Sequence, residues 1–101
     1  MARLLPGTRA LRTLEAAGRH LNFTRAADEL GLTPAAVSHQ IKEIEDQLGV
    51  VLFQRTSRTI RLTEAGSVLF DAAAEALDVL GRAVARAHKV TRGTALLKVT
   101  L

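Results

Sequence analysis

Gly31-Leu-Thr33-Pro34 sits between two alanine-rich amphipathic stretches, and this short junction dictates the layout of the first half of the chain. Gly31 follows Leu30, the last apolar residue of the first stretch, where a residue with positive φ ends a helix at least cost. Thr33 is a good N-cap and Pro34 a good first helical residue, because that position needs no N–H donor. Residues 23–48 therefore read as two helices joined by a turn that forces a steep, fixed crossing. Ala27 lies where the two helices must approach most closely. This is the layout of a helix-turn-helix, whose second helix enters the DNA major groove.

The second helix, residues 34–48, indicates its own orientation. At 100° per residue, Val37, Ile41, Ile44 and Leu48 fall on one narrow stripe that faces the core. The opposite face carries Ala35, His39, Lys42 and Asp46, with Ser38 on its flank. Small, hydrogen-bonding and basic side chains occupy the first half, whereas Glu43, Glu45 and Asp46 crowd the second as a solvated acidic face. Phosphates repel those carboxylates, so the N-terminal half is expected to dip into the groove. The helix dipole, positive at Thr33–Pro34, favours the same pose.

A helical hairpin with such a turn also occurs in other all-α proteins; the segment C-terminal to it is more specific. Val50-Val51-Leu52-Phe53-Gln54 is β-branched and aromatic, and Thr59-Ile60-Arg61-Leu62 alternates with period two. Between them Arg55-Thr56-Ser57-Arg58 is polar and short enough for a hairpin tip, and Arg55, Arg58 and Arg61 bring positive charge to it. Beside a helix-turn-helix, a basic two-stranded wing over 55–59 is placed for phosphates or the adjacent minor groove. The expected DNA-facing residues are thus Thr24 and Arg25 at the start of the preceding helix, then Thr33, Pro34, Ala35, Ser38, His39 and Lys42. Arg55, Arg58 and Thr59 complete the set from the wing.

Upstream, Thr8 to His20 reads as a buttressing helix with Leu11, Leu14, Ala17 and Leu21 at core spacing, and Asn22 as the N-cap of the next helix. Downstream, Thr63 caps a helix expected to run unbroken to about Thr91, or roughly 42 Å. Phe70, Ala73, Leu77, Leu80, Val84 and Ala87 recur three and four apart along it, a heptad seam. The Phe70 end is expected to fold back onto its own domain. From Leu77 onward the stripe has no partner left in the chain and favours pairing with a second copy in a two-fold dimer.

Other functions find little support. The chain has 101 residues, enough for one small domain, and no cysteine for a disulfide or thiolate metal site. Its formal net charge of +4 suits a polyanionic partner. No apolar run spans a membrane, and Arg interrupts residues 1–20 too often for a signal peptide, so the cytoplasm is the expected compartment. His20, His39 and His88 are scattered without metal-ligand spacing, and Ser38 and His39, as helix neighbours, point apart. Neither catalysis, metal nor cofactor is expected. The alternative to a DNA-binding regulator is a free-standing winged helix that senses a ligand or binds protein.

Phe23-Thr-Arg-Ala-Ala-x-x-Leu, Leu32-Thr-x-x-Ala-Val-Ser-x-Gln-Ile, Leu48-Gly-x-x-Leu-Phe-x-Arg and Leu62-Thr-Glu-Ala-Gly follow one another in fixed order and spacing. In this the chain resembles the N-terminal part of LysR-type transcriptional regulators. The wording around Ser38-His39-Gln40-Ile41 is similar to the subgroup of glycine-cleavage activators. The resemblance implies a mainly α winged helix-turn-helix over 1–62, a dimerising linker helix over 63–92 and, from 93–101, the start of a truncated effector-binding domain. Gly93 would end the linker, and Ala95 to Leu101 alternates like a first strand of that domain. It further implies an interrupted palindromic DNA operator, a homodimer (with a tetramer open for the intact protein) and a small-molecule effector bound only through the missing domain. Pro34 stands where the family more often has glutamine, and His39 where many members have arginine. A neutral imidazole cannot make arginine's bidentate contact with guanine, so a weaker or pH-dependent readout is expected there.

Overall fold

The computed structural model describes the backbone of residues 6–100 and the side chains of residues 6–92. Residues 1–5 of the first expected unit and Leu101 of the last lie outside the described residues. The elements are α1 (Thr8–His20), α2 (Phe23–Leu30), α3 (Pro34–Leu48), β1 (Phe53–Arg55), β2 (Ile60–Leu62) and α4 (Glu64–Thr100). The mainly α winged helix-turn-helix expected from the sequence is the fold observed.

Local chemistry sets the first three helix boundaries. Asn22 Oδ1 accepts from the Arg25 N–H at 2.9 Å to cap α2, and Thr33 Oγ1 accepts from the Ala36 N–H at 3.1 Å to cap α3. Gly31 and Gly49 end α2 and α3 at φ of 70°, the left-handed region that a Cβ disfavours. Leu21 ends α1 in the same region, at φ of 49°. That cap turns its side chain outward to 45% exposure, so Leu21 is not the core residue its spacing suggested.

The core lies where α1, α2 and α3 cross. Leu14, Ala16, Ala17, Ala26, Ala27, Val37, Ile41 and Ile44 are buried there, the alanines allowing close approach. Burial contributes roughly 1.5–3 kcal/mol for each large aliphatic side chain. Buried Thr13 holds α3 to α1, its hydroxyl placed between the Arg9 carbonyl and Gln40 Oε1.

The wing is one antiparallel pair, with Phe53 opposite Leu62 and Arg55 opposite Ile60. It is shorter than expected, since Val50 and Val51 are exposed and lie before β1. Hydrogen bonding to other elements explains this. The Glu45 carboxylate accepts from the N–H groups of Leu52 (2.8 Å) and Phe53 (3.3 Å), and the Leu52 carbonyl accepts from the Thr63 N–H. Glu45 is therefore the wing's anchor on α3 rather than part of a solvated acidic face. Arg55 belongs to β1, so the turn itself is made by Thr56 to Thr59, with the Thr59 carbonyl accepting from the Thr56 N–H.

Thr63 caps α4, its Oγ1 accepting from the Gly66 N–H at 2.9 Å while donating to the Val51 carbonyl. The start of α4 packs against α1. Gly18 lies flat against the Phe70 ring, and Ala73 is buried in the same core. Phe70 and Ala73 thus pack within their own chain, as expected for the Phe70 end of the seam, and so do not serve as intersubunit contacts. Leu77 is half-buried over a groove shared with Thr8 and Arg12 of α1 and Leu30 of α2, so it too has neighbours in its own chain. Leu80 and Val84 are 49% and 46% exposed, and Ala87 is exposed. The helix also outruns its expected end, passing through Gly93 to Thr100. Residues 95–100 are therefore helical and form no strand. An isolated strand would leave its backbone groups unpaired, whereas a helix satisfies them internally, and Ala95-Leu96-Leu97-Lys98 are strong helix formers.

An exposed ion network ties the end of α1 to α2. The Arg19 guanidinium contacts the carboxylates of Glu15 and Glu29, and His20 Nε2 lies 2.7 Å from Glu29 Oε1. Hydrogen bonding from Arg19, then from His20, holds the Glu29 carboxyl down from 4.5 to about 2. A depressed carboxylate stabilises the fold fully above its unfolded pKa and ceases to do so as pH falls through its folded one. Glu29→Gln should therefore lower the melting temperature slightly at neutral pH, the small size reflecting solvent screening. The gap to wild type should close between about pH 4.5 and 2. A gap independent of pH would show that Glu29 acts through packing instead.

Candidate nucleic-acid interface

Burial of Val37, Ile41 and Ile44 against α1 and α2 turns the other face of α3 to solvent. Thr33, Pro34, Ala35, His39 and Lys42 are exposed on it, and Ser38 is half-buried on its wing-side flank. Thr24 and Arg25, at the start of α2, are exposed as well. The capped N-terminus of α3, with its positive dipole end, is left open to an approaching anion.

Two side-chain pairs one turn apart lie along the exposed face of α3. His39 Nε2 lies 3.5 Å from Glu43 Oε1, and Lys42 Nζ lies 3.7 Å from Asp46 Oδ1. Such exposed pairs one turn apart contribute little, so a phosphate or base edge can displace them cheaply.

The wing arginines divide into two kinds. Arg58 and Arg61 are exposed and make no ion pair among the described residues. Thr59 is exposed beside them, in a tip closed by its hydroxyl contact with Thr56 at 2.8 Å. Arg55 instead folds back. Its Nη1 donates to Ser38 Oγ at 2.9 Å, and its guanidinium carbon lies 4.8 Å from the centre of the Phe23 ring. Phe23 in turn meets Phe53 edge-on, with centroids 5.5 Å apart. Arg55, expected in the hairpin tip, is instead the last residue of β1 and is held in this clamp, which joins α2, α3 and β1. Phe23, partly buried against the core, is the residue that sequence reasoning missed here; no local pattern pairs it with Arg55.

The arrangement has counterparts in known proteins. The description "bacterial regulatory helix-turn-helix protein, lysR family" matches residues 8–67. The glycine cleavage system transcriptional activator of Escherichia coli strain K12 is 57% identical over 70 residues, 69% of this chain and 23% of that protein. The HTH-type transcriptional activator AmpR of Pseudomonas aeruginosa is 52% identical over 69 residues, 68% of this chain and 23% of that protein. The chain thus spans about a quarter of the length of these curated relatives. Among solved structures, the BenM DBD in complex with benA site 1 DNA superposes with a TM-score of 0.80 at 29% identity, covering 85% of this chain and 97% of that one. The CbnR DBD–DNA complex gives a TM-score of 0.77 at 30% identity, covering 85% and 99%. With the family description matching residues 8–67, more than half of its length, the chain belongs to the lysR family of bacterial regulatory helix-turn-helix proteins.

Proposed function

We propose that this chain is the DNA-binding part of a dimeric, sequence-specific transcription regulator that works in the cytoplasm by binding rather than by catalysis. The N-terminal half of α3 enters the major groove, and the wing lies on the backbone or in the adjacent minor groove. One observation carries this reading: α3 buries Val37, Ile41 and Ile44 and so presents Ala35, Ser38, His39 and Lys42 outward, next to the cations Arg58 and Arg61. Supporting it, solved relatives of the same fold are themselves complexes with DNA. The partner is an interrupted palindrome, each half-site met by one subunit of a two-fold pair. Residues 63–92 serve as the dimerising linker, and residues 93–101 lead toward an effector-binding domain that binds the small-molecule signal.

The test uses a duplex enriched by the chain from a randomised library, with the unselected library as reference. Affinity should fall on the order of a hundredfold between 50 and 200 mM salt if about four phosphates are neutralised per dimer. Arg58→Ala should weaken both DNAs alike and flatten the salt slope. His39→Ala should act mainly on the enriched duplex, by roughly 1–3 kcal/mol if it loses a base contact. A flat salt response would remove phosphate neutralisation as the driving force, and equal behaviour of the two variants would mean that another face of α3 meets the groove.

A further inference from the structure

Arg55 and Ser38 meet at the boundary between wing and recognition helix, and their hydrogen bond has a direction. A guanidinium carries donors only, so in the 2.9 Å contact Arg55 Nη1 donates and Ser38 Oγ accepts. The serine hydroxyl holds one proton and cannot direct it at Arg55. That proton is left for an acceptor elsewhere, and the exposed face of α3 is the open side. Arg55 is itself braced: it stacks on Phe23, and Phe23 is set edge-on against buried Phe53. Stacking and fork geometry together hold the guanidinium in one orientation, which an ammonium cannot reproduce.

We infer that Arg55 is a specificity-positioning residue, turning the Ser38 hydroxyl proton away from the wing and toward the groove and so biasing the base edge that Ser38 reads. Serine alone is promiscuous at a base edge, since it can donate or accept. With Arg55 occupying one of its two lone pairs, its proton is turned toward a major-groove acceptor (a purine N7, guanine O6 or thymine O4), which favours such an edge over the lone amino group of cytosine. This rests on the DNA-binding reading above and adds to it which chemical edge is recognised and which residue off the recognition helix enforces the choice.

The experiment is selection from a randomised duplex library with the wild-type chain, Ser38→Ala and Arg55→Lys, followed by sequencing of the enriched pools. Ser38→Ala should lose about tenfold preference at one base pair per half-site, the scale of a lost base contact. Arg55→Lys keeps the positive charge but not the stack or the fork. It should lose a similar factor at the same base pair, read as enrichment relative to unselected duplex. An effect on phosphate binding alone would not move the preference at one position. If Arg55→Lys enriches that base pair as strongly as wild type, or relaxes a different one from Ser38→Ala, the coupling is wrong while DNA binding stands. If wild type enriches no sequence at all, the DNA-binding reading itself falls and this inference falls with it.

Discussion

Gly66→Ala should destabilise the fold by about 2–4 kcal/mol, combining overpacking with the loss of a buried backbone hydrogen bond. In most exposed helical positions the same change stabilises, by up to about 1 kcal/mol. Here the sign reverses because a Cβ on Gly66 would lie 2.0 Å from the Leu52 carbonyl oxygen and 2.9 Å from its carbon. That backbone cannot withdraw. Its carbonyl accepts from the Thr63 N–H, its N–H is held by Glu45, and the Leu52 side chain is fully buried. Making room for one methyl group therefore pulls α4 off the entry to β1, loosening the cap at Thr63 and the wing together. A fall in melting temperature of on the order of 10 °C is expected for a domain of this size. Gly66→Ala with unchanged thermal stability would mean that α4 does not seat on Leu52 as described.

Features governed by neighbours in sequence were legible from the residues alone. The stripe Val37, Ile41, Ile44, Leu48, the caps at Asn22, Thr33 and Thr63 and the stop at Gly31 all follow from helical periodicity and from unsatisfied N–H groups within one turn. Features governed by tertiary approach were not. Glu45 reads as one of three surface acids until its carboxylate is found on the Leu52 and Phe53 amides, seven and eight residues away. The alternation of residues 95–101 resembles a strand, yet a strand needs a partner and a helix does not, so α4 continues to Thr100. The quoted motifs show the same division. Phe23, Ser38, Phe53 and Arg55 stand in three separate motifs, and only the fold brings them into one clamp.

Leu80→Asp should convert the proposed dimer into a monomer and weaken binding to an enriched two-half-site duplex by roughly 10²–10⁴-fold, the advantage conferred by linking two sites. The seam divides along α4. Phe70 and Ala73 are committed to α1, and Leu77 is half-buried over the groove beside Arg12 and Leu30. Farther on, Val79, Leu80 and Val84 remain 51%, 49% and 46% exposed. Ala72, Ala76 and Ala83 flank Val79 and Leu80 on an open apolar patch, small enough to admit a second helix closely. A carboxylate at position 80 would be stripped of water in such a seam, a cost several times that of simply losing the leucine. The winged helix-turn-helix should stay folded, because Leu14, Val37, Ile41, Ile44 and Phe53 make its core without Leu80. Leu77→Asp should behave differently, losing monomer stability as well, since Leu77 is already partly covered within its own chain. Sedimentation of the two variants, with circular dichroism for helix content, separates these outcomes. A Leu80→Asp chain that still sediments as a dimer would place the interface elsewhere on the molecule, and the two-fold reading of the operator would have to be rebuilt from that surface.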